Sequence, residues 1–364
     1  MAVALPVACG APDGAAKHGA SDAGATASDA GGAAPWPVQE FPAVPAPIDN
    51  PTTDEKIALG RMLFYDPVAS VDRQLACGTC HSEFWGMADA LPVSVGNGGG
   101  LVAGPGRQGP RTTRRNAPTL WNAAFRSHLF WDGRGASLED QVHFPFDAPE
   151  ELSRPLADVV AEIRAIPAYA SAFASAFPGA GDPVTEANFT RAVAAFERTM
   201  ISRRGLYDAW VEGDTGAMSD SMLRGMRLFA EEGCPDCHRP PLFSSDRFED
   251  RHVPPVPGVD DAGRFEVTGD PADRNRFAVP TLRNLPDSGP YFHSGAVETL
   301  GEAVRHEVAE SAVAAGARSL DDDEVSDLTV FLQKALFDTT NSPSRPHEVP
   351  SGLPLPIDGP GVRH

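Results

Sequence analysis

The chain has 364 residues, 41% of them hydrophobic, which is enough for more than one buried core and suggests about two domains with appendages. Its formal charge of -20 argues against nucleic acid or an anionic membrane surface as a partner, and favours a basic partner. The 35 glycines and 35 prolines predict long loops around helices rather than a continuous sheet.

Residues 1–48 are predicted to be a signal remnant followed by a flexible tether that is poor in large apolar side chains. Cys9 resembles the end of a lipoprotein signal peptide, so a lipid anchor is one interpretation, although proline three residues before the cysteine is atypical. No later stretch is apolar for long enough to span a bilayer. We therefore expect an exported protein, periplasmic or on the outer surface, with or without that anchor.

Residues 49–210 are predicted to form a first domain. Asn50 to Glu55 favour a helix start, and Asp66-Pro67 would end that helix. Residues 92–115 form a Gly/Pro/Arg-rich stretch that predicts a long loop, and apolar residues recur at helical spacing in 155–177 and 184–201. Those two stretches are expected to be core helices.

Residues 211–345 are predicted to form a second domain, with a boundary between Leu206 and Gly216. Ser219 is a candidate N-cap, and the acids Asp321 to Glu324 favour the start of a closing amphipathic helix. Residues 346–364 are expected to be a Pro-rich C-terminal tail.

Each predicted domain contains one CxxCH motif, at Cys77-Gly-Thr-Cys80-His81 and at Cys234-Pro-Asp-Cys237-His238. Two cysteines three apart can bind both vinyl groups of one haem, and the following histidine can coordinate its iron. The motifs use four of the five cysteines, which excludes a disulfide framework. A zinc site would need further ligands, and a thioredoxin-like motif has no reason to carry the histidine twice. The sequence therefore predicts two covalently bound haem c groups.

With a helix before each motif and a closing amphipathic helix, the expected fold class is mainly α: two cytochrome c-like haem domains with long irregular loops and little strand. From Asp54 to Leu336 the chain resembles the bacterial dihaem cytochrome c peroxidase and MauG family. The resemblance is carried by stretches whose order and spacing match around the two motifs: 59–66 (LGRMLFYD), 116–120 (NAPTL), 130–134 (FWDGR), 137–141 (SLEDQ), 279–284 (VPTLRN) and 290–295 (PYFHSG).

This resemblance implies that haem 1, on His81, reacts with hydrogen peroxide and that haem 2, on His238, is a six-coordinate electron-transfer centre. Trp131 would relay electrons between them. Gln141 and Glu151 would lie over the peroxide-binding face, with Glu151 as general acid and base.

Two further expectations accompany these roles. Glu150 adjoins Glu151, so the alternative that both are surface acids opening a helix stays open. The resemblance also implies calcium between the haems, held by Asn116 and by backbone carbonyls of Ser288 and Pro290.

The chain departs from the family at the ligands of both irons. Classical members have a histidine sixteen residues after the proximal one, which blocks the haem 1 iron until haem 2 is reduced. Here that residue is Asn97, whose neutral amide is a poor iron ligand, so we expect an open haem 1. The nearest other histidines, His128 and His143, do not have the expected spacing.

The sixth ligand of haem 2 is methionine in the peroxidases and tyrosine in MauG. This chain has no methionine after Met226, and its only later tyrosine, Tyr291, lies within the 290–295 stretch. His306 and Glu307 are the candidates. Glu307 fits the count, whereas imidazole is the more usual ligand, so His306 is the favoured prediction.

These expectations favour a dihaem peroxidase-like oxidoreductase that uses peroxide at haem 1, shares oxidising equivalents with haem 2 and oxidises a partner protein as MauG does. One alternative is a cytochrome c peroxidase that removes peroxide with electrons from a small redox protein. A second is a dihaem electron carrier or sensor without turnover, which would need neither an open iron nor a distal carboxylate. The oligomeric state stays open.

Overall fold

The computed structural model describes residues 33–179, 181–315 and 318–359. The α-helices of these residues are α1 Asp54–Tyr65, α2 Cys77–Cys80, α3 Leu138–Gln141, α4 Phe144–Asp147, α5 Leu156–Arg164, α6 Pro167–Ala176, α7 Glu186–Glu197, α8 Leu206–Val211, α9 Asp220–Glu231, α10 Phe265–Thr268, α11 Leu300–Ala315 and α12 Asp322–Val330, which continues as a π-helix over Phe331–Ala335. Short 3₁₀ helices cover Pro67–Ala69, Glu83–Trp85, Ala123–Phe125, Cys234–Asp236, Pro271–Asp273 and Leu285–Asp287.

Strand content is small. Within the described residues, β1 Val102–Ala103 pairs in parallel with β4 Ile357–Asp358, and β2 Phe248–Glu249 pairs antiparallel with β3 Phe277–Ala278. The prediction of a mainly helical fold with little strand is confirmed. Nor does any described helix combine the length and the apolar character that crossing a membrane requires.

Local sequence signals set the helix ends. The Thr53 hydroxyl accepts a hydrogen bond from the Lys56 amide at the start of α1, and Ser219 caps α9 in the same way. Asp321 and Glu324 form a capping box at α12. The stretch 155–177 forms two helices instead of one, because Pro167 cannot continue α5 and instead takes the first position of α6.

Two hydrophobic clusters each surround one CxxCH motif. The first joins α1, α5, α6 and α7, with Leu63 and Phe196 among its fully buried members, and Cys77 and Cys80 pack against it. The second joins α8, α9, α11 and α12, with Phe229 and Phe331 in its centre, and Cys234 packs against it. The helix pairs α1–α7 and α9–α12 form the frame of each cluster.

The described part of the predicted N-terminal tether is packed rather than free, which corrects that prediction. Trp36 contacts Phe229 and Phe243 of the second cluster edge to face, and its Nε1 donates to the Tyr207 hydroxyl at 2.9 Å. Phe41 lies edge to face on Phe125, with ring centroids 5.5 Å apart. A few aromatic side chains thus fix a segment whose average composition suggested disorder. Cys9 lies outside the described residues.

The predicted C-terminal tail is also packed, and it returns to the first cluster. Leu353 and Leu355 pack against that cluster, and the Ser351 hydroxyl donates to Asp66 at 2.7 Å. The pairing of β4 with β1 fixes the end of the segment. Its prolines disfavour regular helix or sheet without preventing these contacts.

Candidate haem centres

The first CxxCH motif is a single helical turn whose geometry is set by its neighbours. The Thr79 hydroxyl accepts a hydrogen bond from the Ala76 amide, and the His81 amide donates to the Cys77 carbonyl. Position 78 must be glycine, because a Cβ there would lie 2.4 Å from the Tyr65 ring. His81 Nδ1 donates to the Met87 carbonyl at 3.0 Å, which leaves Nε2 free to coordinate a metal.

A cavity of about 740 Å³ opens on this turn, and we call it the haem 1 cavity. Its wall includes Cys77, Cys80 and His81. The wall continues through loop residues of the first unit, which is the part of the chain around the first cluster. It then reaches the second unit, around the second cluster, which contributes Leu242, Ala278, Pro280 and Tyr291. The cavity therefore lies at the junction of the two units.

The chemistry of the wall fits a haem with its two propionates. Neither cysteine of the motif forms a disulfide, so both thiols are available for thioether bonds. Trp121 Nε1 and Arg126 Nη2 are buried on the wall without a hydrogen-bond partner. Buried donors of this kind are normally satisfied, and an anionic carboxylate would satisfy both.

Glu151 and Gln141 line the same cavity as His81, as the resemblance implied. Gln141 ends α3, whereas Glu151 lies on the irregular segment between α4 and α5. Burial raises the pKa of Glu151 to about 7, against the lowering effect of the Arg134 guanidinium, and Glu150 adds to the rise. A carboxyl group that titrates near neutrality is suited to both accepting and donating a proton.

Glu150 also lines the cavity, so the alternative that both acids lie on the surface at a helix start is wrong. The next helix begins only at Leu156.

Trp131 lies where the two units meet. Its Nε1 donates to the Asn116 carbonyl at 3.0 Å, and its own carbonyl accepts from the Ala278 amide of the second unit at 2.8 Å. Its ring is edge to face with buried His293, at a centroid distance of 6.5 Å. Trp131 is therefore fixed on the cavity wall between the first motif and the second unit.

Among the described residues of the cavity wall, His81 is the only histidine. His128 and His143 lie elsewhere, His143 being exposed at the start of α4. Asn97 is buried away from the cavity wall, and its side-chain amide donates to backbone carbonyls.

The second motif has a different setting. His238 Nδ1 donates toward the carbonyls of Pro280, at 3.2 Å, and Phe243, at 3.4 Å, which again leaves Nε2 free. Burial lowers the pKa of His238 to about 4, so the ring is neutral, as an iron ligand must be. Phe243 is fully buried beside Tyr207 and Phe229, which makes this surrounding aromatic and apolar.

At α11 the side chains of His306 and Glu307 both contact Arg251, through different groups. His306 Nε2 donates to the Arg251 carbonyl at 2.7 Å, so its ring is turned toward that loop. The Glu307 carboxylate is bonded to the side chain of the same Arg251. Arg251 Nε donates to this carboxylate at 2.8 Å. Because adjacent helical residues point about 100° apart, the side chains of His306 and Glu307 cannot both face haem 2.

Asn116, Ser288 and Pro290 all line the junction cavity, which is where the calcium prediction places them. Asn116 Nδ2 donates to the Leu91 carbonyl at 2.8 Å. Amide and carbonyl oxygens are ligands that calcium accepts. No cluster of three or more His, Cys, Asp or Glu side chains suited to a metal occurs among the described residues.

Two residues of this site were not assigned from the sequence. Glu197, at the end of α7, is a buried acid on the cavity wall, and burial raises its pKa to about 8. The sequence signal that could have revealed Glu197 is an acidic residue directly after the apolar residues of α7. Arg134 lies on the wall with its guanidinium 3.6 Å from the Phe130 ring centroid; it ends the 130–134 stretch that carries the resemblance, but no role was assigned to it.

A haem-attachment turn in each of two units, with a cavity at their junction, defines a c-type cytochrome with two haem sites. The model of the family described as di-haem cytochrome c peroxidase matches residues 54–216. The methylamine utilization protein MauG of Methylorubrum extorquens is 37% identical over 265 residues, covering 72% of this chain and 71% of its own. The cytochrome c551 peroxidase of Nitrosomonas europaea is 34% identical over 303 residues, covering 83% and 84%.

The crystal structure of a MauG-like protein associated with microbial copper homeostasis superimposes with a TM-score of 0.73 at 28% identity, over 85% of this chain and 99% of that one. The diheme peroxidase BthA of Burkholderia thailandensis shares the fold, with a TM-score of 0.64 at 21% identity over 85% of this chain and 92% of its own. The chain belongs to the dihaem cytochrome c peroxidase and MauG family and is an oxidoreductase of the haem peroxidase type.

Proposed function

We propose that the chain reacts with hydrogen peroxide at haem 1 without prior reduction and passes the oxidising equivalents to haem 2. The observation that carries this proposal is the haem 1 cavity, which brings Glu151 and Gln141 to the same space as His81 and contains no second histidine among its described residues. His81 would hold the haem iron, and the described wall offers no second imidazole that could also bind it. A dihaem electron carrier, which only exchanges electrons, would have no use for an open face of the iron.

In this proposal Glu151 moves the peroxide proton. The haem, when bound, supplies the iron that binds peroxide and the electrons that cleave its O–O bond. Glu151 accepts the proton from one oxygen and donates it to the other, which leaves as water. Gln141, which cannot titrate, orients peroxide or water by hydrogen bonds.

Trp131 is the proposed relay between the haems. Indole is among the more easily oxidised side chains, and Trp131 is bonded to both units through Asn116 and Ala278. Calcium held by Asn116, Ser288 and Pro290 would add fixed positive charge at the same junction.

Glu307, which fits the count, is the proposed sixth ligand of haem 2 in place of His306, whose Nε2 donates to the Arg251 carbonyl. An oxygen or nitrogen donor stabilises ferric iron more than a thioether does, so the potential of haem 2 should be lower than in a methionine-ligated peroxidase. A low potential suits the oxidation of a partner protein, as in MauG, better than peroxide removal with electrons from a high-potential redox protein. The charge of -20 favours a basic partner, encountered outside the cytoplasm.

Electron paramagnetic resonance of the protein as isolated, in the ferric state, tests the proposal. We expect one high-spin signal, from haem 1, and one low-spin signal, from haem 2, with cyanide binding to haem 1 before any reductant is added. Two low-spin signals, with cyanide and peroxide reacting only after one-electron reduction, would support the classical peroxidase alternative.

A further inference from the structure

The segment that carries Glu151 packs directly against the loop at residues 94–98. A Cβ on Gly96 would lie 1.5 Å from the Glu150 carbonyl oxygen, so only glycine allows this approach. The backbone N–H of Asn97 donates to the same carbonyl at 3.3 Å. The two backbones are therefore in contact immediately before Glu151.

Asn97 joins the two segments through its side chain. It is 3% exposed, and its Nδ2 donates to the carbonyls of Pro149 at 2.8 Å and Glu151 at 2.7 Å. Arg111 donates to its Oδ1 at 2.7 Å, which fixes the orientation of the amide. Both donor hydrogens are thus used, on carbonyls two residues apart.

The loop that presents Asn97 is itself anchored. Arg107 is buried, and its guanidinium donates to two carbonyls of this loop, those of Val95 and Gly96, and to two just beyond it, those of Gly100 and Val102. The Gly98 amide donates to Asp72 at 2.6 Å. Moving this loop would break these bonds together, so it gives Asn97 a rigid base.

We propose that Asn97 is a positioning residue that fixes the backbone on both sides of Glu151 and so holds its carboxyl group in the haem 1 cavity. Asn97 does not line that cavity and does not touch peroxide. Asn97 therefore does more than leave the iron open, because it also connects the anchored loop to the segment of the general acid and base. This inference rests on the proposed function of Glu151.

The test compares Asn97→Ala, Glu151→Gln and the double variant in the haem-loaded protein. A displacement of about 1 Å can cost about a hundredfold in rate, so Asn97→Ala should slow the peroxide reaction by about tenfold to a hundredfold. Added to Glu151→Gln, it should cost almost nothing more, because it acts through Glu151. Additive losses in the double variant would overturn the proposal.

Amide hydrogen exchange provides a readout independent of activity. Asn97→Ala should speed exchange in residues 148–154, where the Glu151 amide donates to the Ala148 carbonyl. Asn188→Ala is the matched control: Asn188 is also buried, and its Nδ2 donates to the Pro183 carbonyl at 2.9 Å, away from the cavity wall. It should leave both the exchange at 148–154 and the peroxide rate unchanged. Equal effects of both substitutions would overturn the proposal.

Arg111→Gln is a milder second variant if Asn97→Ala does not fold. Arg111 is exposed, and its loss frees the orientation of the Asn97 amide without removing its two donors. We expect a smaller slowing with the same dependence on Glu151. If Glu151→Gln itself reacts at the parental rate, the proposed function fails. If only Glu151→Gln is slow, while Asn97→Ala and Arg111→Gln react at the parental rate, the positioning role alone fails.

Discussion

The two CxxCH turns carry the same chemistry and lie in different surroundings. His81 faces a cavity whose wall carries several acids, amides and arginines, whereas His238 lies beside Phe243, Tyr207 and Phe229 in an aromatic core. In both, Nδ1 donates to backbone carbonyls, so the proximal sides are alike. The difference lies in the groups that can reach the other face of each iron. The attachment motif thus predicts where a haem binds, and the rest of the fold determines whether it reacts.

The largest effect on the rate is expected from removing the carboxyl group of Glu151, which titrates in the haem 1 cavity. Glu151→Gln keeps the shape of the side chain but cannot move a proton, so formation of the peroxide-oxidised protein should slow by about a hundredfold to ten-thousandfold. Stopped-flow spectroscopy with peroxide measures this rate. Glu150→Gln is the matched control on the same cavity wall and should not slow the reaction, because losing the Glu150 charge lowers the pKa of Glu151 and leaves more of it ionised. The reverse result would transfer the role to Glu150.

The second prediction concerns Trp131, the proposed electron relay between the two haems. In Trp131→Phe, peroxide should still be consumed at haem 1, but oxidation of haem 2 should fail or lag, because phenylalanine is much harder to oxidise than indole. Rapid-scan spectra that resolve the two haems measure the delay. Trp85→Phe, at a tryptophan that does not line the cavity, is the control and should show no delay. Undelayed oxidation of haem 2 in Trp131→Phe would exclude the relay role.

The third prediction concerns pH. Burial raises the pKa of Glu151 to about 7, so its carboxyl group is mostly protonated below that pH and cannot accept the peroxide proton. The rate of the peroxide reaction should therefore fall about tenfold per unit as the pH drops below the pKa, and level off above it. Glu151→Gln should lack this ionisation. A parental profile that is flat from pH 5 to about pH 8 would contradict the assignment.

The smallest effect on peroxide chemistry is expected from changes at the proposed sixth ligand of haem 2. Glu307→Ala should convert haem 2 to a high-spin signal in electron paramagnetic resonance, because the proposed oxygen ligand is lost. His306→Ala should leave the low-spin signal, because His306 Nε2 is turned to the Arg251 carbonyl. Peroxide cleavage at haem 1 should be nearly unchanged in both. The charge-transfer band of methionine ligation should be absent from the parental protein. The opposite pair of spectra would restore His306 as the ligand.

The sequence predicted features that depend on local pattern. Both haem-attachment turns, the caps of α9 and α12 and the helical stretches near α1 and α7 were recognisable, because each signal lies within a few residues. The resemblance also named Glu151, Gln141 and Trp131, which the fold brings to one cavity.

Other features depend on partners that are distant in the sequence. The Asn97 amide bonds to carbonyls 52 and 54 residues away, so its role could not be derived from the 94–98 stretch alone. His306 and Glu307 differ by one helical step, and only the rotation of α11 separates them. The N-terminal segment was predicted to be a flexible tether because it is poor in large apolar side chains, and residues 346–364 were predicted only to be a Pro-rich tail. Trp36, Leu353 and Leu355 nevertheless pack against the cores.

The return of residues 351–358 to the first cluster has a consequence for dissecting the molecule. A cut near residue 210 would separate the two haem motifs along the chain, but it would strip Leu353, Leu355 and the β4 pairing from the haem 1 side. A fragment made that way would expose apolar surface and lose the Ser351 bond to Asp66. A single-haem version for spectroscopy is better obtained from the intact chain, by replacing one pair of motif cysteines, than by truncation.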